Sequence, residues 1–473
     1  MCPMSIVDQL EAAGEVLSPA VRAAMVGLEA TSTLLQERVR ELEARLGLNS
    51  TNSSNPPSSD PPGTVRPPKK PTGKKRGGQK GHRGHHRKRI AAARVDTTIP
   101  HRPEWCGHCG HTLAGAEEAK AAHVHQVVEL PSIQAEVTEH RMECLRCPKC
   151  RKLTRGKLPA EVGGKHFGPR LVGLGSLLMG RYRLSRRETV DLLGKLLDVP
   201  APSLGSTEAF TRETSSALKP AYEEVRAEVL RSETAGVDET PWRLCGAKYW
   251  LWVAVTQRAA LFHLGPSRGR KELEEFLGRT FKGIVVSDRW CAYQIYVRRQ
   301  LCWAHLIRNF RTLALRGGKA VEFAEQGEAA CARVFKLWWS LCEGKLDRAQ
   351  LAKRIKRTQS RLRSMVREGV ASSDKKVAGF CRNLLRLWPS LWTFVTEAVE
   401  VTNNAAERAL RPAVLWRKGS FGSQSETGLR YAERILTFAA TCKLRQIHPL
   451  EFLALAVSAV RSGKDVPQFL PTH

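Results

Sequence analysis

Long apolar runs are missing from this chain. The longest, Phe452 to Val460, falls well short of the about 18 residues that a helix needs to span a bilayer, so a helical membrane anchor is excluded. No leader is expected either: Met1-Cys2-Pro3-Met4-Ser5-Ile6-Val7-Asp8 has no basic segment followed by an apolar one, and a cytoplasmic, nucleoid-associated location is expected. No disulfide framework is visible either. The 13 cysteines are odd in number and eight stand singly in ordinary globular sequence, which fits a reducing compartment. Acidic residues are scarce, 46 Asp and Glu against 76 Lys and Arg, and the resulting +30 is self-repulsion that a polyanionic partner relieves. Nucleic acid is the expected partner, with an acidic membrane surface the weaker alternative. At 473 residues and roughly 150 per domain, about three domains are expected.

Taken in order, residues 1–48 form an N-terminal helical segment that carries a heptad pattern from Met25 to Leu48. Leu28, Leu35 and Leu42 fall in one register and Met25, Val39 and Leu46 in the other, with Glu37, Arg38, Arg40, Glu41, Glu43 and Arg45 between them. A short coiled coil, a dimerisation handle, is one reading; an amphipathic helix packed on its own protein is the other. Periodicity stops over 49–90, where Ser, Pro, Gly, Lys and Arg dominate and no core can form. This linker is expected to be disordered. Its basic half includes Lys74, Lys75, Arg76, Arg87, Lys88 and Arg89, which can follow a phosphate backbone without reading sequence.

Residues 91–160 hold Cys106-x2-Cys109 and Cys144-x2-Cys147-x2-Cys150, separated by two strand-like segments, Val124 to Leu130 and Ile133 to Met142. Two such knuckles converge four thiolates on a tetrahedral cation, and Zn2+ fits that set in a reducing compartment; a redox dithiol is the alternative. Five cysteines compete for four places. Cys106, Cys109, Cys147 and Cys150 are assigned because Cys147-Pro-Lys-Cys150 resembles the usual knuckle turn, leaving Cys144 spare and the choice among Cys144, Cys147 and Cys150 open. A zinc ribbon in a basic chain serves as a DNA-binding platform or as a purely structural element. Residues 161–232 read as helices, Leu171 to Leu184, Arg186 to Leu197 and Thr207 to Leu230. They form either a helix-turn-helix that presents Thr207 to Arg212 to a groove, or a spacer.

From 233 to 310 strands take over: Val237 to Thr240, Tyr249 to Val255, Ala260 to Leu264, a helix from Arg270 to Leu277, then an apolar strand ending at Asp288. A ribonuclease-H-like fold has that order, with an Asp on its first strand, a second at the end of its fourth, and a third acid on a later helix. Asp238, Asp288 and Glu407 meet the scheme, while Glu239 faces the other side of its strand. Asn404 followed by Glu407 reads as a helix start whose dipole keeps the carboxylate ionised; the same spacing makes Glu407 a capping-box partner. Arg408, Arg411, Arg417 and Lys418 load the helix behind it, so three carboxylates beside strong positive charge suit a divalent cation and a phosphodiester. Cys302 and His305 either support that metal site or belong to the core. Residues 311–400 form a helical, Arg- and Trp-rich insertion whose Trp338, Trp339, Trp388 and Trp392 are expected in its core rather than as base-stacking platforms. Residues 401–445 hold the Glu407 helix and complete the sheet domain, and 446–473 form a C-terminal helical tail. The expected fold is therefore multidomain: an α/β ribonuclease-H-like core with a long helical insertion, preceded by a coiled coil, a basic linker, a zinc ribbon and a helical region.

The ordered motifs Asn-x-x-Asn-Pro-Pro-Ser-Ser-Asp, Arg-Gly-Gly-Gln-Lys-Gly-His, the two knuckles, Val-Asp-Glu-Thr, Ser-Asp-Arg-Trp, Cys-Trp-Ala-His-Leu and Asn-Asn-Ala-Ala-Glu-Arg-Ala-Leu-Arg-Pro resemble those of DDE transposases of the insertion sequence 66 family. The resemblance runs from about Leu28 to the C-terminus. It implies Asp238, Asp288 and Glu407 as a catalytic triad, Cys106, Cys109, Cys147 and Cys150 as zinc ligands, bacterial origin, terminal inverted repeats as DNA partner, and accessory proteins of the same element. Cys144 departs from the two-knuckle pattern. On this reading two Mg2+ or Mn2+ ions serve phosphoryl transfer, Arg408, Arg411, Arg417 and Lys418 clamp phosphates, Trp416 stacks on a displaced base, and the protein acts as a homo-oligomer, at least a dimer on DNA. The rivals are a metal-dependent nuclease without strand joining and a non-catalytic zinc-bearing DNA-binding protein.

Overall fold

The structure, a computed structural model, describes residues 5–49, 52, 60, 87–117, 123–197 and 201–470. Two compact units divide the chain, Met1–Thr64 with Glu136–His473, and Val65–Ala135. Lys74, Lys75 and Arg76 lie outside the described residues; Arg87, Lys88 and Arg89 are exposed and belong to no regular element. Among the described residues no helix is long and apolar enough to cross a membrane.

Two helices open the larger unit, α1 (Ile6–Ala12) and α2 (Pro19–Leu46). Ser18 caps α2 through the Val21 N–H at 3.4 Å, and Pro19 opens its first turn, so the helix begins before the leucine repeat does. α2 buries none of its residues, and Leu28, Leu35, Val39, Leu42 and Leu46 stay exposed. The strands expected at Val124–Leu130 and Ile133–Met142 do not form. Val127, Val128, Leu130 and Val137 are all exposed, and a hairpin with no apolar face to bury is marginal in water. The strand pairing at the knuckle of the larger unit is the short hairpin β1 (Cys144–Arg146) and β2 (Leu153–Arg155).

Four helices follow: α3 (Pro169–Gly180), α4 (Arg186–Leu197), α5 (Leu204–Ala217) and α6 (Lys219–Leu230). The single helix expected from Thr207 to Leu230 is broken at Leu218 because Pro220 cannot donate an amide and is accepted only in a helix's first turn. Thr207, Phe210 and Thr211 turn inward, with Phe210 edge-on to Phe167 at 5.3 Å. The expected groove-reading face of a helix-turn-helix is therefore spent on the core.

The sheet is built from β3 (Thr234–Leu244), β4 (Ala247–Val255), β5 (Ala260–Gly265), β6 (Ile284–Ser287) and β7 (Arg299–Leu301), in the order β5-β4-β3-β6-β7. β3, β4 and β5 form an antiparallel meander, and after α7 (Arg270–Leu277) β6 and β7 add in parallel. The fold is thus mixed α/β. α8 (Trp303–Ala314) leads into α9 (Lys319–Cys342), α10 (Arg348–Gly369), α11 (Lys375–Arg386) and the single turn α12 (Thr393–Thr396). These have a core of their own, in which Phe310, Val334, Ile355 and Leu384 pack; Trp338 and Trp392 are buried there, whereas Trp339 is exposed. The chain then returns to the sheet through α13 (Asn404–Ser420), α14 (Glu426–Arg445) and α15 (Pro449–Arg461). One face of the sheet buries Val237, Trp252 and Leu261 against Val225, Ile435 and Val457; the other buries Leu251, Val253 and Phe262 against Ala406, Leu410 and Leu436.

The free edge of β5 is sealed by side chains of α14. Amides of Ala260, Phe262 and Leu264 donate to Thr441 Oγ1 (3.1 Å), Thr437 Oγ1 (2.9 Å) and Glu433 Oε1 (2.6 Å). Residues four apart on a helix rise about 6 Å and alternate strand residues about 6.7 Å, so one ladder serves both elements. Such sealing removes an edge open to another strand. Thr437→Val is expected to leave the Phe262 amide buried and unpaired, costing about 1–3 kcal/mol. Thermal unfolding of the full chain should show a lowered midpoint for Thr437→Val and a near-normal one for Thr437→Ser.

Candidate active site

The ladder between β3 and β6 pairs Thr234 with Ile284, Ala235 with Val285 and Gly236 with Val286. Carrying that register two residues further sets Asp238 opposite Asp288, the residue after the end of β6. Adjacent strands lie about 4.8 Å apart and residues in register share a face, so the two carboxylates emerge side by side. Burial raises the Asp238 pKa well above the usual carboxylate range, and the negative charges of Glu239, Asp288 and Glu407 raise it further. Only the Glu239 N–H, donating to Asp238 Oδ1 at 3.0 Å, works the other way.

Glu239 serves the opposite face. Its carboxylate accepts from Arg268 at 2.6 Å and from the Tyr293 hydroxyl, which burial and the neighbouring carboxylates keep protonated. Arg268 in turn lies 4.1 Å over the Trp290 ring, and its carbonyl accepts from the Trp290 indole at 3.2 Å. The Trp290 amide donates to Asp288 Oδ1 at 2.8 Å. Glu239, Arg268 and Trp290 thus form one chain that fixes the Asp288 carboxylate from the far side of the sheet. Arg289 points away, bonded to Asn309 (2.9 Å) and Asn383 (2.8 Å) and stacked over Phe380. None of this support was read from the sequence, although Ser-Asp-Arg-Trp places Trp290 two residues from Asp288.

Glu407 stands in the first turn of α13, but the cap is Asn403, one residue before the expected Asn404, and its side chain makes no capping bond. Asn403 instead ties three elements together: Nδ2 donates to the Val237 carbonyl at 2.8 Å, and its amide donates to Cys302 Sγ at 3.2 Å. A β-carbon on Gly236 would come within 2.9 Å of Asn403 Oδ1, so glycine is what lets α13 sit this close to β3. Cys302 is buried, and burial pushes its thiol up to about 11, so it is a neutral acceptor supporting α13 rather than a thiolate ligand. Glu407 is not a capping-box partner either. Its Oε1 accepts from Arg308 Nη2 at 2.7 Å and lies 3.4 Å from His305 Nε2. Burial, and then the charge of Arg308, lower the His305 pKa, so the imidazole is neutral at pH 7. Arg308 was not anticipated; its signal was the three-residue spacing from His305 on one amphipathic helix.

Three carboxylates, one of them with its pKa raised by burial and by its acidic neighbours, make a donor set suited to a hard divalent cation. Among the described residues, however, no three His, Cys, Asp or Glu side chains gather tightly enough to hold a metal ion. Glu407 is occupied by Arg308.

The cations behind Glu407 divide. Arg408 and Arg411 are exposed, as is Lys418. Arg417 folds back to donate to Thr240 Oγ1 (3.3 Å) and to the Pro241 carbonyl, so it braces β3 instead of facing solvent. Trp416 is not a free stacking surface: it packs edge-on against Trp242 (6.1 Å) and Tyr431 (6.2 Å). Its apolar ring faces the core because that side of α13 covers the sheet.

The two knuckles share one local design. The Cys106 amide donates to the His111 carbonyl (2.8 Å), and the Gly110 amide to the Cys106 carbonyl (3.0 Å), with Gly110 at φ 72°. The Cys147 amide donates to the Lys152 carbonyl (2.9 Å), and the Arg151 amide to the Cys147 carbonyl (2.9 Å), with Arg151 at φ 62°. Amides of His108 and Cys109 lower the Cys106 pKa, and those of Cys150 and Lys149 lower that of Cys147. Cys144 lies outside this turn, in β1, and the two knuckles fall in different compact units.

Comparison with known proteins gives this arrangement a context. Residues 205–431 match the model described as Transposase IS66 family, and residues 103–151 match the zinc-finger binding domain of transposase IS66. The chain belongs to the IS66 transposase family. Residues 6–88 match a family of unknown function (DUF6444). Among curated relatives of this IS66-family chain, the uncharacterized protein y4qI of Sinorhizobium fredii (strain NBRC 101917 / NGR234) is 25% identical over 46% of the chain and 44% of its own length. The uncharacterized protein y4hP of the same organism is 22% identical over 74% of the chain and 70% of its own length. The chain thus spans less than half of the first relative. No solved structure matches it.

The Asp238 environment predicts a pH dependence. Its pKa is higher in the folded than in the unfolded chain, so the contribution is most favourable below the ordinary carboxylate range and is lost as pH rises from there through the folded value. Without divalent cations, Asp238→Asn should therefore melt above the unsubstituted chain at pH 7.5, with the gap closing toward pH 4. A gap independent of pH would show that Asp238 is not held protonated.

Proposed function

We propose that this chain is a DDE transposase that binds the ends of an insertion sequence and carries out metal-dependent strand cleavage and strand transfer. The observation that carries the reading is the β3–β6 register, which sets Asp238 beside Asp288 under a helix bearing Glu407 and tied to β3 by Asn403. The strand order β5-β4-β3-β6-β7, with an antiparallel meander and two added parallel strands, supports a ribonuclease-H-like core interrupted by the 311–400 insertion. The repeated Cys turns support a zinc ribbon within 91–160, and the exposed apolar stripe of α2 supports a coiled coil pairing two copies.

The residues that would hold Mg2+ or Mn2+ are Asp238, Asp288 and Glu407; bound there, such ions acidify an attacking hydroxyl and stabilise the leaving oxygen. The chain's own groups prepare the reaction. Glu239, Arg268 and Trp290 fix the direction of Asp288, and Arg308 with His305 holds Glu407 at the mouth of the site. Arg408, Arg411 and Lys418 lie on the helix that presents Glu407 and offer phosphate contacts. Water would first displace the 3′-oxygen at the element's end; the freed 3′-hydroxyl would then attack a target phosphodiester and displace its 3′-oxygen.

Purified protein incubated with labelled end DNA, target plasmid and Mg2+, with and without the accessory proteins of the element, tests the proposal. Nicked ends and strand-joined product are expected. Nicks without joining would indicate a nuclease, and binding without nicking a non-catalytic DNA-binding protein.

A further inference from the structure

The helical insertion carries a surface that the acidic site does not use. Between Asp347, the N-cap of α10, and Glu368 near its end there is no acidic residue, yet seven Lys and Arg fall in the stretch from Lys353 to Arg367. The helix buries Leu351, Ile355, Thr358, Leu362 and Val366, one continuous stripe. Lys353, Arg357 and Arg361 recur at four-residue spacing away from that stripe, and Lys356, Arg363 and Arg367 form a second row beside them; all are exposed. None of these six forms an ion pair with a described residue; Arg363 lies over the Trp388 ring at 5.9 Å. Lys353 and Arg367 are 14 residues apart, about 21 Å along the helix axis.

We infer that the outward face of α10 binds the phosphate backbone of duplex DNA, holding it at a fixed distance from Asp288. This deepens, and rests on, the reading of the chain as a DNA-strand transferase. Charge complementarity favours this occupant. Gln359, Ser360 and Ser364 lie between the cations, and between Trp339 and Leu415 no large apolar side chain is exposed among the described residues. A protein partner would need an apolar or aromatic anchor of the kind this face lacks, whereas phosphate needs only cations and polar donors. The insertion is also fastened to the site. Asn383 of α11 accepts from Arg289, next to Asp288, at 2.8 Å, and Gly369 at the end of α10 packs so closely on α11 that a β-carbon there would meet Cys381 Sγ at 2.5 Å. DNA lying on α10 is therefore placed relative to Asp288 by rigid packing.

The test is fluorescence anisotropy of a 30-base-pair duplex with the full chain, without added Mg2+, over a series of KCl concentrations, comparing the unsubstituted protein with Lys353→Gln/Arg357→Gln/Arg361→Gln/Arg367→Gln. Glutamine keeps helix propensity, and matching circular dichroism and melting curves confirm folding. Loss of four phosphate contacts is expected to lower the slope of log K against log salt by about 3 to 4 and the affinity at 0.1 M salt by about 100-fold. An unchanged slope and affinity would overturn the assignment, as would intact DNA binding with lost binding to phosphatidylserine vesicles. Strand cleavage is scored separately: if the transferase reading fails, neither protein nicks DNA, yet the salt slopes still differ if α10 binds it.

Discussion

Asp288→Asn is expected to lose DNA strand cleavage by about three orders of magnitude while binding duplex DNA as the unsubstituted chain does. Asparagine keeps the shape and the oxygen that accepts the Trp290 amide, so the loop after β6 should stay in place. What disappears is the negative charge set beside Asp238 by the β3–β6 register. Ligands of a catalytic cation contribute several kcal/mol to the transition state, and about 4 kcal/mol is roughly a thousandfold in rate. Glu407→Gln is expected to behave similarly, and it should also loosen the contact with Arg308. Quantitative gel assays of nicked end DNA at matched occupancy measure both. Undiminished nicking by either variant would remove that residue from the chemistry.

Cys106→Ser or Cys147→Ser is expected to abolish stoichiometric zinc in the purified chain, whereas Cys144→Ser should retain one equivalent. The physical basis is the repeated turn: Cys106 and Cys147 occupy the same position in two loops whose amides favour the thiolate, and Cys144 sits outside, in β1. Structural zinc contributes about 10–16 kcal/mol of apparent binding free energy at neutral pH, so loss of one thiolate should release the metal and the order of its loops together. Metal content by mass spectrometry, with limited proteolysis between residues 91 and 160, reads the outcome. Zinc retained by Cys147→Ser and lost by Cys144→Ser would reassign the second ligand pair.

Much of the sheet was legible because its strands are short, apolar and bounded by turn residues. Tyr249 to Val255 and Ala260 to Leu264 lie within the observed β4 and β5, and the helix Arg270–Leu277 agrees with α7. Asp288 could be named because it follows an apolar strand and Glu407 because it falls in the first turn of a helix, whereas Asp238, mid-way along β3, was named from the order of the strands and the resemblance. Their supports could not. Arg268 and Trp290 reach the site through tertiary contacts that no local period encodes, Arg308 carried only its three-residue spacing from His305, and Asn403 differs from Asn404 only in which one faces Val237. Trp416 misled for a related reason: a tryptophan amid Arg and Lys looks like a base-stacking platform until Trp242 and Tyr431 are seen against it. The hairpin expected from Val124 to Met142 failed because alternation alone does not supply a face to bury, and the break at Leu218 was carried by one residue, Pro220. The sealing of β5 by Glu433, Thr437 and Thr441 was invisible, since a four-residue spacing of polar groups on a helix ordinarily reads as a solvent face.

The proposed chemistry requires Asp238, Asp288 and Glu407 to share bound divalent cations. Anomalous diffraction from crystals of the chain with end DNA and Mn2+ measures this directly. Manganese peaks ligated by Asp238 and Asp288, with the Glu407 carboxylate turned from Arg308 toward them, are the predicted result. Saturating Mn2+ that leaves Asp238 and Asp288 without a peak, and Glu407 still paired with Arg308, would contradict it.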